Sequence, residues 1–263
     1  GVLAGEIGAG KTTIAKQLIE KLDESEFEAS MLVIVQPQLK PAWIFRKIAL
    51  QIGIMDPPED RIRLISVLYN KLVDIYEEGR KTVVLIDEAQ MLSGQEMMQE
   101  IRGLLNFESA SQKLITLLFF GLPQIEENLR LDPALEQRVA IRQFLDALKH
   151  GSSIEYIKHR LKVAGGSADL FTDEALHMTY KYSRGIPRQI NTICDNALLE
   201  GFFQNKDSID VNIIRDVVSD LRLDFETIPK INQEFKRDKS RVSYVGVDDS
   251  DSPKSSSDLK EKL

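Results

Sequence analysis

The segment GEIGAGKTT at residues 5–13 constrains the fold of this chain more than any other feature. It matches the pattern G-x-x-x-x-G-K-[ST], in which a glycine-rich turn joins a strand to a helix. Glycine has no Cβ, so such a turn can bring its backbone N–H groups close to a phosphate chain. The pattern predicts that Lys11 reaches the β- and γ-phosphates of a nucleotide and that Thr12 holds Mg²⁺. The predicted phosphate-binding residues are Gly5, Glu6, Ile7, Gly8, Ala9, Gly10, Lys11, Thr12 and Thr13.

A second motif ends the apolar run TVVLIDEAQ, residues 82–90. Such a continuous run is typical of a strand buried on both faces, and a carboxylate at the carboxyl end of a parallel strand faces the ligand crevice. We therefore predict that Asp87 supports Mg²⁺ through its water shell and that Glu88 is the general base toward the attacking water. Either motif alone has a plain alternative, a glycine turn before a helix or a solvated acidic turn. Their occurrence together favours a nucleotide site.

Strands and helices alternate along the first part of the chain. Apolar runs predict strands over residues 29–38, 82–90, 113–121 and 138–148, besides the strand that leads into the glycine loop. Helical spacing predicts helices over residues 11–24, 41–54, 60–78 and 94–108. This alternation predicts an α/β protein, a three-layer αβα P-loop NTPase fold with a parallel five-stranded sheet.

The acidic pair also carries a prediction about strand order. An acidic pair directly after its strand fits the hydrolase branch of P-loop NTPases, in which another strand lies between the loop strand and the acidic strand. The run MLVIV at residues 31–35 is the natural candidate for that inserted strand. The wide sequence separation between Lys11 and Asp87 leaves room for it.

The character of the chain changes after about residue 148, where four helical patterns follow one another with short breaks. We predict a nucleotide-binding core over residues 1–147, a small all-helical lid over 148–223 and a disordered polar tail over 224–263. The chain opens on Gly1 without an initiator Met and has only VLA between Gly1 and Gly5. We expect that the natural N-terminus of the core is missing.

Composition excludes several classes of function. The formal net charge of −7 argues against unspecific phosphate neutralisation on nucleic acid, since such binding needs clustered Lys and Arg. A single cysteine, Cys194, allows neither a disulfide framework nor a thiolate metal site. Three scattered histidines, His150, His159 and His177, have no recognisable chemical partner. No apolar run has the length of a membrane span, so we expect a cytoplasmic protein.

The motifs described above, together with SRGIPRQIN at residues 183–191, resemble the AAA+ ATPases. Within them the chain is similar to the general secretion pathway protein A family over about residues 1–221, where LLNFES, LFFGLPQIEENL and LEQRVAIRQFL occur in the family's order. The resemblance implies ATP as the nucleotide and hydrolysis coupled to rearrangement of a partner or of subunits. It also implies a homo-oligomer in the nucleotide-bound state, a partner in envelope secretion or pilus-type assembly, and peripheral placement at the inner membrane through that partner.

The resemblance also implies roles for single residues. Arg188 in GIPR corresponds to the sensor arginine of the lid, directed at the γ-phosphate. Arg138 in LEQR corresponds to an arginine finger that enters a neighbouring subunit's site, and Arg142 and Arg130 are its competitors. Gln36 is a candidate to hold Glu88 when no substrate is present.

One position departs from the family. Leu122 stands after Gly121, where relatives carry a polar residue that orients the attacking water. Gln124 is a possible substitute. This departure leaves open a nucleotide-dependent binding switch with little turnover. A DNA-associated AAA+ regulator, such as a transposition helper or an initiator-like ATPase, is a further alternative, against which the acidic charge weighs.

Overall fold

The computed structural model describes residues 1–36, 39–109 and 112–223. Its strands are β1 (Val2–Gly5), β2 (Phe27–Val33), β3 (Lys81–Asp87), β4 (Glu108–Ser109), β5 (Gln112–Lys113), β6 (Ile115–Gly121) and β7 (Arg142–Leu145). Strands β4 and β5 form a small antiparallel pair. The other five form one sheet in the order β2–β3–β6–β1–β7, and every pairing in it is parallel. The predicted five-stranded parallel sheet is confirmed.

Ten α-helices lie within the described ranges. They are α1 (Lys11–Lys21), α2 (Trp43–Gln51), α3 (Arg61–Glu77), α4 (Gln95–Leu104), α5 (Gln124–Leu129), α6 (Pro133–Glu136), α7 (His150–Val163), α8 (Asp173–Ser183), α9 (Pro187–Phe203) and α10 (Val211–Asp220). A short 3₁₀ turn, Ala89–Met91, follows β3. The helices predicted from periodicity are all present, whereas α5 and α6 were not predicted because each is too short to show a full apolar period.

Helices cover both faces of the sheet, as the continuous apolar runs indicate. Side chains alternate along a strand, so Val83 and Leu85 of β3 pack with Ala15 of α1 on one face. Val84 and Ile86 belong to the larger cluster that includes helices α2, α3 and α4 on the other face. Because both faces of β3 are buried, both sets of positions must be apolar.

The sequence-based prediction of strand order is wrong in one respect. Residues 31–35 do not lie between the loop strand and the acidic strand, because β2 is the edge strand beyond β3. The inserted strand is β6, which pairs with β1 on one side and β3 on the other. Chain order does not determine sheet order, because a helical crossover can carry the next strand to either side.

The last strand is also shorter than predicted. The apolar run at 138–148 predicts a strand, but only Arg142–Leu145 pairs, alongside β1. Helix α6 and the turn after it occupy the chain up to about residue 139, with Arg138 and Val139 donating backbone hydrogen bonds to Leu135 and Glu136. The segment 138–148 therefore begins in a turn and forms a strand only over the four residues that pair with β1.

Helices α7 to α10 have an apolar core of their own, which includes Ile157, Leu176, Ile193 and Ile214. The predicted helix start at Thr172 is present, because the Thr172 side chain accepts a hydrogen bond from the Ala175 N–H. The separate core suits the predicted lid, although the boundary at residues 147/148 stays a prediction. The predicted disordered tail over 224–263 lies outside the described residues.

Two histidines that the sequence leaves without a partner lie side by side between α7 and α8. His150 Nε2 is 2.6 Å from His177 Nδ1, and the two rings stack. The edge of Tyr180 also packs near His150. The expectation of no partner is wrong for this pair because 27 residues separate them in the chain and only helix packing brings them together.

Within the described ranges, none of the helices combines the length and apolar character that crossing a membrane requires.

The single thiol gives a test of lid packing. Burial in the lid, with a smaller effect from the charge of Asp195, raises the pKa of the Cys194 thiol to about 12. We expect that a disulfide reagent at pH 8 leaves the native protein unmodified, because the thiolate is the reactive form. The same reagent should modify one thiol per chain after unfolding in guanidinium chloride. Rapid reaction of the native protein would contradict this packing of α9.

Candidate functional site

The glycine loop lies between the carboxyl end of β1 and the start of α1. Gly5 is the last residue of β1, residues 6–10 form the turn, and Lys11 is the first residue of α1. Gly8 and Gly10 have φ angles of 80° and 107°, a region that L-residues rarely enter. Because Gly10 has no side chain to cap α1, the first N–H groups of the helix remain available to an anion.

Lys11 is folded back over this loop. Its ammonium Nζ donates to the carbonyl oxygens of Gly5 and Glu6, each at 2.9 Å, and the residue is buried. Burial is the largest influence and lowers the pKa of Lys11, while the charges of Glu88 and Asp87 oppose that shift. The charges of both acidic residues thus act on the lysine, and its ammonium donates to two carbonyl groups that a phosphate can replace.

Asp87 closes the site from the side of β3. It is 2% exposed, and its Oδ2 accepts a hydrogen bond of 2.6 Å from the Thr12 hydroxyl. Its Oδ1 accepts from the Glu88 N–H at 3.0 Å. A hydroxyl and a carboxylate oxygen side by side are the hard ligands that Mg²⁺ prefers in phosphate sites, where the ion keeps several waters. The residues present thus fit the predicted metal.

Glu88 has a left-handed backbone conformation, with φ 55° and ψ 35°. This conformation turns the chain sharply after β3. The Glu88 Oε2 atom accepts a hydrogen bond of 2.6 Å from Gln90 Nε2. The side chain that holds Glu88 is therefore Gln90 and not Gln36, which is exposed beyond the end of β2.

Arg188 lies at the start of lid helix α9, against the glycine loop. Its backbone N–H donates to the Gly8 carbonyl at 3.2 Å, and a Cβ placed on Gly8 would be 2.7 Å from the Arg188 Cβ. The guanidinium contributes a minor lowering of the pKa of Lys11, after the larger effect of burial. The structure thus brings the predicted sensor arginine next to the predicted phosphate loop.

The three arginines considered as fingers differ in their contacts. Arg142 is fixed within the chain by Glu126 at 2.6 Å and by Glu136 at 3.8 Å. Arg130 is 4.0 Å from Glu136. Arg138 is exposed, and its guanidinium donates to the Asn106 side chain at 2.6 Å. Among the three, Arg142 is the least free to act in another subunit, because two carboxylates of its own chain hold it.

Leu122 directly follows β6, between the glycine loop and the acidic pair. Its side chain offers no polar group, but its N–H donates to Gln90 Oε1 at 3.0 Å. Gln124 is exposed at the start of α5. Sequence reasoning therefore missed Gln90, although its place two residues after Glu88 in LIDEAQ was a signal for it.

Two open grooves lie away from this site. One, of about 740 Å³, is lined by residues of α2, α3 and α4 and includes Phe45, Arg61 and Glu100. The other, of about 390 Å³, includes Trp43 and Arg46. Neither contains a residue of the glycine loop or of β3. We therefore place the functional site at the loop.

Comparison with known proteins agrees with this geometry. A family model described as AAA domain matches residues 1–129. The fold and the site thus resemble those of AAA+ P-loop proteins. The chain is 32% identical over 228 residues to general secretion pathway protein A of Aeromonas hydrophila. That match covers 84% of this chain but only 41% of the relative's own length.

Solved structures share the fold at lower identity. The ADP form of the ORC2 protein of Aeropyrum pernix superposes with a TM-score of 0.62 at 18% identity, over 83% of this chain and 62% of the other. The RuvB Holliday junction branch migration motor of Thermotoga maritima gives a TM-score of 0.60 at 20% identity, over 87% and 64%. At such identities these structures support the fold alone.

The contact between the loop and the lid can be tested by Gly8→Ala in the nucleotide-free protein. An alanine at position 8 has to adopt a positive φ, which L-residues rarely do, and its Cβ has to displace Arg188. We expect a loss of unfolding free energy of about 1–2 kcal/mol for the backbone and about 1–3 kcal/mol for the overlap, measured by urea denaturation.

Gly79→Ala is the matched control, because Gly79 has φ 81° and a Cβ added there would meet no heavy atom within 4 Å. It should show only the backbone loss. Equal losses for the two variants would mean that α9 does not contact the loop in solution.

Proposed function

We propose that this protein binds and hydrolyses Mg-ATP. The observation that supports this most directly is the 2.6 Å hydrogen bond between Thr12 and Asp87, since it joins the two motifs at one point. The loop amides, Lys11 and the two carboxylates then all lie at the carboxyl edge of the sheet. Parallel α/β sheets bind their ligands at this edge.

The reaction would proceed as follows. The β- and γ-phosphates rest on the N–H groups of residues 8–13, and Lys11 moves from the carbonyls of Gly5 and Glu6 to the phosphate oxygens. The Glu88 carboxylate accepts a proton from a water as the water oxygen forms a bond to the γ-phosphorus. The bond between that phosphorus and the β–γ bridging oxygen breaks, and ADP and phosphate leave.

Thr12 and Asp87 are the residues that would hold Mg²⁺, Thr12 directly and Asp87 through water. Bound there, the ion would supply positive charge against the negative charge of the phosphates. The Asp87–Thr12 hydrogen bond keeps the hydroxyl and the carboxylate side by side.

Two arginines would complete the site. Arg188 contacts the loop through its backbone N–H, and its guanidinium would reach the γ-phosphate and register its loss. Arg138 is exposed and would enter the site of a neighbouring copy as an arginine finger. Such a finger requires a homo-oligomer in the nucleotide-bound state.

The biological role follows from the relative. General secretion pathway protein A bears the name of a secretion pathway and is matched here over 84% of the chain. We propose that nucleotide turnover rearranges subunits or a protein partner in envelope secretion or pilus-type assembly, with the protein held at the inner membrane by that partner. Because the match spans 41% of the relative, this proposal concerns the shared segment.

A nucleotide-dependent switch with little turnover is the second candidate. Leu122 favours it, because an apolar side chain at the end of β6 cannot orient the attacking water. This candidate predicts tight nucleotide binding without release of phosphate, whereas the first predicts multiple turnovers.

Substitutions at Lys11 and Glu88 separate binding from chemistry. We expect that Lys11→Ala loses nucleotide binding, because the ammonium is the cation closest to the phosphates. Glu88→Gln should still bind Mg-ATP but should release phosphate at least ~100-fold more slowly, since general-base catalysis contributes roughly that factor or more. Phosphate release and binding of a fluorescent nucleotide measure the two effects.

Glu155→Gln is the control, because Glu155 is exposed on lid helix α7. It should behave as the wild-type protein. Binding by the wild-type protein without phosphate release would support the switch, and no binding at all would refute both candidates.

The finger can be tested by mixing inactive variants. Arg138→Ala and Glu88→Gln should each be inactive alone. Mixed together they should regain activity, because an intact Arg138 from one copy can complete the intact Glu88 site of the other. Phosphate release at several mixing ratios measures this recovery.

Arg130→Ala provides the comparison, since Arg130 lies on the same segment and has only a distant contact with Glu136. It should retain activity alone. If the mixture stays inactive while Arg130→Ala is also inactive, Arg130 and not Arg138 acts between subunits.

A further inference from the structure

Gln90 has contacts that the proposed reaction does not yet use. Its side-chain amide lies between the carboxylate of Glu88 and the end of β6. Nε2 donates to Glu88 Oε2 at 2.6 Å, and Oε1 accepts from the Leu122 N–H at 3.0 Å. The neutral side chain of Gln90 therefore joins Glu88, the candidate base, to the end of β6. Strand β6 lies between β3, which leads to Glu88, and β1, which leads to the glycine loop.

These two hydrogen bonds fix the orientation of the amide. A carboxylate can only accept and a backbone N–H can only donate, so the NH₂ group must face Glu88 and the oxygen must face Leu122. The opposite orientation would lose both bonds. The position of the Glu88 oxygen is thereby tied to the backbone of β6, which is part of the sheet.

The residues around Gln90 leave room for its side chain and hold its backbone. A Cβ on Gly121 would lie 2.8 Å from Gln90 Oε1 and 3.1 Å from the Gln90 nitrogen, so only glycine leaves room there. The Asn128 side chain of α5 donates to the Gln90 carbonyl at 2.9 Å. Gln90 is thus held at its backbone by α5 and at its side chain by the end of β6.

The tip of β6 is the right place for such a residue. Phe119 of β6 is in register with Val2 of β1 and with Ile86 of β3, so the strand ends between the loop and the acidic pair. Leu122 follows that end and has no polar side chain. Gln90, which follows β3, brings a polar amide to the end of β6 and also contacts Glu88.

We propose that Gln90 is a positioning residue that orients the Glu88 carboxylate toward the attacking water, in place of the polar side chain absent at Leu122. This inference rests on the proposed function. Gln90 acts through Glu88 and does not itself touch the nucleotide. Its loss therefore lowers kcat and leaves nucleotide affinity unchanged.

Two substitutions separate the contacts of the amide. Gln90→Ala removes both hydrogen bonds. Gln90→Glu has the same shape and still accepts from the Leu122 N–H, but it places a carboxylate against Glu88 instead of a donor. If orientation of Glu88 is what matters, both variants should lose activity, although only one loses the contact with β6.

The expected result is a loss of kcat of roughly 10- to 100-fold in both variants, as a misplaced catalytic group produces. KM and the affinity for a non-hydrolysable nucleotide should stay the same. In the Glu88→Gln background, adding Gln90→Ala should change kcat by less than about twofold. The reason is that substitutions at two contacting residues that serve the same step do not have additive effects. Gln95→Ala, an exposed glutamine at the start of α4, is the matched control and should leave kcat unchanged.

Hydrogen exchange of the Leu122 amide tests the contact without any turnover. In the nucleotide-free protein this amide should exchange faster in Gln90→Ala than in wild type, and at the wild-type rate in Gln90→Glu and Gln95→Ala. Unchanged exchange in Gln90→Ala would refute the contact. A wild-type kcat in Gln90→Glu, or a raised kcat in either variant, would refute the positioning role.

The two proposals fail in different ways. A wild-type protein that binds Mg-ATP without releasing phosphate would refute hydrolysis, and with it the positioning of Glu88 for attack. The Leu122 exchange would still show whether Gln90 bridges Glu88 and β6. Normal turnover in the wild type together with normal turnover in Gln90→Glu would refute only the role of Gln90.

Discussion

The hydrogen bond between Thr12 and Asp87 is the contact on which the site depends. Strands β1 and β3 are not neighbours, since β6 lies between them. Even so, Thr12, which lies beyond the end of β1, meets Asp87, the last residue of β3. They meet because parallel strands all end at one edge of the sheet, and because α1 starts directly above that edge. Asp87 is almost fully buried, and a buried carboxylate needs donors. The Thr12 hydroxyl and the Glu88 N–H supply them, one to each carboxylate oxygen.

The lid contacts the same loop from the other side. Arg188 donates its backbone N–H to the Gly8 carbonyl, and the absence of a Cβ on Gly8 leaves the space that Arg188 occupies. A second link ties the start of the lid to its own interior, because the Leu148 N–H donates to the Gly185 carbonyl beside the start of α9. Phosphate entering the loop would therefore meet a surface that already includes the lid.

Much of this protein could be predicted from local patterns. The glycine loop, the strand that ends at Asp87 and the four lid helices each follow from spacing within a short segment. The order of the strands did not follow, and residues 31–35 lie at the edge instead of beside the loop strand. The pairing of His150 with His177 and the contact of Gln90 with Glu88 were missed as well. Each depends on distances between elements that the sequence does not encode locally.

The sequence by itself determined which chemistry the site can support. The glycine loop with Lys11 and Thr12 suits a phosphate chain, and the strand that ends at Asp87, with Glu88 directly after it, suits a hard cation and a general base. Backbone conformation and side-chain type act over a few residues, so such motifs can be recognised without a fold. The tertiary structure alone decided that β6 stands between the two motifs, that Leu122 offers only its backbone there, and that Gln90 reaches across to it. Those facts depend on which strands pair and how helices cross, and these are set by packing of the whole core.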